Sequence, residues 1–263
     1  MKFRRWLSLA CLGAALSPAL RLAATEPPLT AAWQALSDGF YEDAMQQFAA
    51  AGDSREARLG LAMAQCSRAP TTASSLDEAR AQFERLAPGD DETGHAARYF
   101  LGRLQQLHPI SPDATAAARI YEQLVATRAD DRWCRLALVK LAVLRLTGSA
   151  SPESIAAVEP LLARTADPVT QRDLHLVISE VRLHRGLVDA TTLSHLQAAL
   201  DEPTLPADLR ADLLIQTARV ALQLGDPATA RARYERFIRE FPKDRRLYTI
   251  QQALAHLGEP FPP

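Results

Sequence analysis

The sequence predicts an all-α fold built from repeated helical hairpins, and three observations lead there. Nearly every segment after residue 29 places apolar residues at helical spacing, and no stretch keeps up the two-residue alternation of a half-buried strand. Helix starts are marked by Ser or Asp followed by Pro. A frame of one small residue with a large one four places later recurs at intervals of 34 to 40 residues. The chain has 263 residues, 48% of them hydrophobic and 23% charged, which is enough material for a sizeable core.

The first segment, "MKFRRWLSLACLGAALSPALRLAATEPP", puts Lys2, Arg4 and Arg5 before an apolar run from Trp6 to Leu20, closed by Arg21 and followed by the small residues Ala23 and Ala24. This is the layout of a secretory signal peptide. The run falls short of the roughly 20 apolar residues that a bilayer span requires. The expected organisation is a signal peptide at 1–24 and one helical domain at 25–263. The mature protein would be periplasmic or secreted, with no stable membrane span after cleavage. Two cysteines remain beyond the signal, Cys66 and Cys134, each inside a helical pattern, and they are expected to be packed thiols rather than a disulfide.

From there the frame can be followed hairpin by hairpin. "GFYEDAMQQF" supplies Gly39, Ala44 and Phe48, and "LDEARAQF" supplies Ala79 and Phe83. The helix expected at 95–107 carries Ala97, Phe100, Leu101, Leu104 and Leu107 on one stripe, with Arg103, Gln105 and Gln106 off it. Ala117 and Tyr121 follow, then Ala157 and Leu161. Pro160 lies between that last pair, where it should kink or end the helix. Gly186, Thr191, His195 and Pro203 repeat the frame, and "GDPATARARYERFIREFPKD" repeats it most fully with Gly225, Ala230, Tyr234 and Pro242. Starts are signalled by "SPD" at 111–113, "SPE" at 151–153, "DP" at 167–168 and "GDP" at 225–227. In each, a Ser or Asp can accept from first-turn amides while the Pro lacks the N–H that would go unpaired there.

Gly225, Ala230, Tyr234 and Pro242 have the spacing of the second helix of a tetratricopeptide repeat (TPR), and the chain resembles that family over roughly residues 30–257. Leu59-Gly60 and Leu101-Gly102 retain part of the family's first-helix signature, whereas Leu161 and His195 replace its aromatic residue. "FIREFPKD" is similar to bacterial envelope members. The resemblance implies a right-handed α-solenoid of about six antiparallel TPR-like hairpins, closed by a capping helix at 244–257. It also implies a concave side lined by first helices, whose outward positions would meet a partner. Those positions are Tyr99, Arg103 and Gln106, then Asp173, Glu180 and His184, then Asp212, Arg219 and Gln223. The implied role is a scaffold that holds a protein or peptide in its groove. The alternative is a structural component that joins a cell-envelope assembly through its convex face or its ends.

Other classes find little support in the residues. A formal net charge of -1 provides no overall basic field to draw the chain onto nucleic acid. The six histidines, at 95, 108, 175, 184, 195 and 256, form neither a His-x3-His pair nor an HExxH motif. His175 and His184 are nine residues apart and point in opposite directions from one helix, while His195 is expected to pack in the stack. The acidic pairs Asp90-Asp91, Asp130-Asp131 and Asp201-Glu202 fall in turns, where acids serve solvation and the helix dipole. No catalytic group, metal site or cofactor is expected.

Overall fold

A computed structural model of the chain describes residues 27–108, 112–148 and 152–257. The signal-peptide expectation lies outside the described residues. Among those described there are thirteen α-helices and no strands: α1 (Pro27–Ser37), α2 (Tyr41–Ala50), α3 (Arg55–Ser67), α4 (Ala73–Leu86), α5 (Glu92–Leu107), α6 (Ala114–Ala126), α7 (Arg132–Gly148), α8 (Pro152–Val158), α9 (Pro168–His184), α10 (Ala190–Leu200), α11 (Ala207–Gln223), α12 (Pro227–Glu240) and α13 (Leu247–Ala255). Within the compact units, α1 packs with α2, α3 with α4, α5 with α6, α9 with α10 and α11 with α12, and α13 is the expected closing helix.

Local chemistry explains where these helices begin and end. Asp113 accepts from the Ala116 amide at 2.8 Å, Asp167 from Thr170 at 2.8 Å and Asp226 from Thr229 at 3.0 Å. Each satisfies one first-turn N–H that has no partner within its helix. The cap expected from "SPE" lies outside the described residues. At the helix ends, Gly39, Gly186 and Gly225 have φ of +83°, +72° and +74°. Each is followed by an amide that reaches back to a last-turn carbonyl: Phe40 to Ala35, Leu187 to Arg182 and Asp226 to Ala221. This is the left-handed helix stop that glycine adopts without a Cβ penalty.

The chain divides into two compact units, with the boundary inside α7 between Leu141 and Ala142. In the first unit successive helices from α1 to α6 pack on one another, and α3 also contacts both α1 and α5. Ala44, Ala79 and Ala117 are fully buried, as are Phe48, Phe83 and Tyr121. A methyl group built on Gly60 would lie 2.2 Å from the Phe48 ring, and one on Gly102 would lie 2.5 Å from Tyr121. The retained glycines of the first helices are therefore seats for aromatic rings of the second helices.

In the second unit α9 to α13 pack in succession, with the core centred on Leu214, Ala218, Ala230, Tyr234 and Phe237. Here the sequence frame needs correction at two anchors. Ala157 is exposed and Val158 is fully buried in its place; Thr191 is exposed and Thr192 is fully buried. The Thr192 hydroxyl is accommodated because it donates to the Leu187 carbonyl at 2.7 Å and accepts from Arg182 Nε at 2.9 Å. Pro160 acts as expected: α8 stops at Val158 and the chain continues as a 3₁₀ turn over Glu159–Arg164.

Two further expectations change. Leu107 is 51% exposed, while Tyr99 and Gly102 on the other side of α5 are buried, because this helix is packed between neighbours and buries two faces. Glu202 is buried rather than solvated, its carboxylate held by Arg172 at 3.1 Å and the Thr204 hydroxyl at 2.7 Å.

Candidate functional site

The first unit contains a cavity of about 330 Å³ on the side where α1, α3, α5 and α7 come together. Its floor is built from aromatic packing. Phe100 stacks on Phe83 at 5.3 Å between centroids, Tyr99 lies 5.8 Å from Tyr121 and 5.6 Å from Trp133, and Phe100 lies 5.5 Å from Trp133. Met63 and Leu136 extend the apolar wall, while Ser37, Ser67 and Tyr41 contribute hydroxyls.

Among the described residues the charge lining the cavity is of one sign: Arg103 and Arg132 line it together with His108, and no described Asp or Glu does. Arg132 sits over the Trp133 ring at 5.5 Å, a cation–π contact that holds its charge at the rim. Burial, and then the charge of Arg103, lower the His108 pKa, so its imidazole is neutral near pH 7. Burial pushes the Cys66 thiol up to about 11, a shift that Arg103 opposes. Cys66 is thus a packed thiol in the wall and a poor nucleophile; both it and Cys134 are free. A hydrophobic floor with two guanidinium groups suits an apolar side chain next to a carboxylate.

A known pattern matches the last helices: residues 211–257 match the tetratricopeptide repeat, from within α11 through α12 and α13. That segment is similar to a tetratricopeptide repeat. No curated protein matches the chain. Among solved structures, a chain described as "Assembly Chaperone of RpL4 (Acl4) (Residues 1-338)" is similar at 14% identity, covering 88% of this chain and 95% of that one with a TM-score of 0.48.

In that segment α11 is the first helix, and its expected contact residues are placed unequally. Asp212 is occupied by an ion pair with Arg246, which also grips Asp244 at 2.8 Å and lies over Phe237. Arg219 is exposed on α11, with its guanidinium close enough to Tyr234 to favour the phenolate, although burial raises that pKa overall. Gln223 is exposed at the end of the helix. On α9, Asp173 is bound to Arg172 at 2.6 Å, Glu180 is half-buried and His184 is exposed. His175 meets His195, with 2.7 Å between their Nδ1 atoms.

On α5 the expected set splits. Arg103 lines the cavity, and so does Tyr99, which is only 3% exposed and mainly a packing residue rather than an outward one. Gln106 accepts from the Tyr121 hydroxyl at 3.3 Å. Trp133, Phe100, Met63 and Arg132 were not on the sequence list. Phe100 belongs to the apolar stripe expected of α5, and nothing local distinguishes a core face from a wall of a cavity between helices.

Proposed function

We propose that the protein is a binding scaffold whose first unit holds a peptide segment of a protein partner in the cavity between α1, α3, α5 and α7. The observation that carries this reading is the one-signed lining: aromatic side chains together with Arg103 and Arg132, and no carboxylate among the described lining side chains. The favoured ligand is an apolar or aromatic side chain adjacent to a carboxylate, held by shape and charge-assisted hydrogen bonds without covalent chemistry. Tetratricopeptide repeats support the reading, because helix-pair repeats build extended binding surfaces. The net charge of -1 argues against nucleic acid as the partner, and no described helix is long and apolar enough to cross a membrane. The layout of the first 24 residues supports export to the periplasm.

Binding of labelled apolar peptides carrying acidic, amidated or basic ends to the purified protein tests the reading. Acidic peptides should bind best, and Arg103→Glu should weaken them about tenfold or more, as expected for loss of a hydrogen bond to a charged group, with helicity unchanged. Affinity that ignores both peptide charge and the Arg103 substitution would remove the cavity from the argument.

A further inference from the structure

A second cluster in the first unit lies apart from the cavity lining. His95 in the first turn of α5, Asp131 at the cap of α7 and Cys134 in the first turn of α7 bring one nitrogen, one oxygen and one sulfur within 4.8 Å of one another. His95 is 5% exposed and Cys134 is 3% exposed. Asp131 uses its two oxygens differently. Oδ1 accepts from the Trp133 and Cys134 amides at 2.8 and 3.0 Å, which is ordinary N-cap chemistry. Oδ2 faces His95 Nδ1 at 2.5 Å and Cys134 Sγ at 3.6 Å. Capping accounts for the first oxygen only; the second takes an imidazole and a thiol from separate helices, and the thiol also reaches the Leu124 carbonyl at 3.8 Å and the Thr127 hydroxyl at 3.6 Å.

We infer that His95 Nδ1, Asp131 Oδ2 and Cys134 Sγ form a binding site for a zinc-class divalent cation. Tetrahedral zinc, with bonds of about 2.3 Å to sulfur and about 2.0–2.1 Å to nitrogen or oxygen, places sulfur and oxygen ligands about 3.6 Å apart and nitrogen and oxygen ligands about 3.3 Å apart. The Sγ–Oδ2 separation already has this value. The Nδ1–Oδ2 pair has to open by about 0.8 Å as the proton between them gives way to the ion. His95 then carries its N–H on Nε2, which faces Asp90 Oδ1 at 3.3 Å, the carboxylate–histidine arrangement that orients zinc-bound imidazoles. Cys134 binds as the thiolate and releases its proton to solvent. Thiolate and carboxylate together neutralise the dication, which suits a buried site. The mixed sulfur, nitrogen and oxygen set selects zinc or cobalt over calcium or magnesium. The half-buried Asp131 side gives access to a fourth, solvent-supplied ligand. The bound ion would tie the start of α5 to the start of α7.

Cobalt titration of the mature, untagged, reduced protein, in which Cys66 and Cys134 are the thiols, tests this. One equivalent of Co²⁺ should give a thiolate-to-metal charge-transfer band and the d–d absorption of tetrahedral coordination, both displaced by Zn²⁺. Cys134→Ser should abolish the charge-transfer band and Cys66→Ser should preserve it, while Asp90→Asn should weaken zinc affinity about tenfold. X-ray absorption of the zinc-loaded wild type, which needs no variant to fold, should show a shell with one sulfur. A wild-type protein with no charge-transfer band at millimolar Co²⁺, a band that survives Cys134→Ser, or a zinc shell of nitrogen and oxygen alone would overturn the assignment.

Discussion

His175 and His195 illustrate how single residues change meaning on folding. His195 occupies the aromatic position of its helix pair and is buried, as its place in the frame suggests. Burial lowers both imidazole pKa values; for His175 the neighbouring His195 lowers it further, whereas Glu159 opposes the shift at His195 and Arg182 adds to it. With folded values below the unfolded value of about 6.5, the unfolded chain takes up protons more readily than the folded one as pH falls. Stability should therefore be full above the unfolded value and decline as the pH drops below it towards the folded values. Melting temperatures measured between pH 7 and pH 5 should fall less steeply in His175→Gln than in the wild type. Identical slopes would show that the pair does not control acid sensitivity. The sequence placed each histidine on its helix correctly, but the 2.7 Å contact between two of them joins residues 20 apart and leaves no local trace.

At the scale of elements, most of the architecture was legible. Helix starts follow from Asp113, Asp167 and Asp226, and three stops follow from Gly39, Gly186 and Gly225, because capping and left-handed turns are chemistry of neighbouring residues. Anchors failed at Ala157 and Thr191, where no aromatic residue four places later confirms the register. A one-residue slip of a helix face is 100° of rotation, so Val158 and Thr192 were buried instead. The seat of Phe48 on Gly60 offers a quantitative check. Alanine in a helix interior is favoured over glycine by about 1 kcal/mol, yet at Gly60 its methyl would meet a fully buried ring at 2.2 Å. Overpacking of this kind costs about 1–3 kcal/mol. Gly60→Ala should thus lower stability in thermal or denaturant unfolding despite its better helix propensity; a stabilised variant would mean that Phe48 can move away.

For the whole molecule, the export proposal makes a simple prediction. N-terminal sequencing of the protein recovered from its native cells should find a chain that begins near residue 25, in an envelope fraction. An intact N-terminus in the cytosol would contradict export and leave the peptide-binding proposal to be judged on its own test. The sequence by itself determined that the described chain is all-α, that its helices come in pairs, where three of them start and three stop, and that four anchors, Ala44, Ala79, Ala117 and Ala230, are buried. These follow from periodicity and capping, which act over one or two turns. Only the tertiary structure decided which polar residues meet. Arg103 and Arg132 come to share an aromatic cavity, Asp212 is taken up by Arg246, and His95 is brought to Asp131 and Cys134 across 36 to 39 positions of chain. The reason is physical: hydrophobic spacing states that a face is buried but not against what, and a cavity or a ligand cluster is a property of several helices at once.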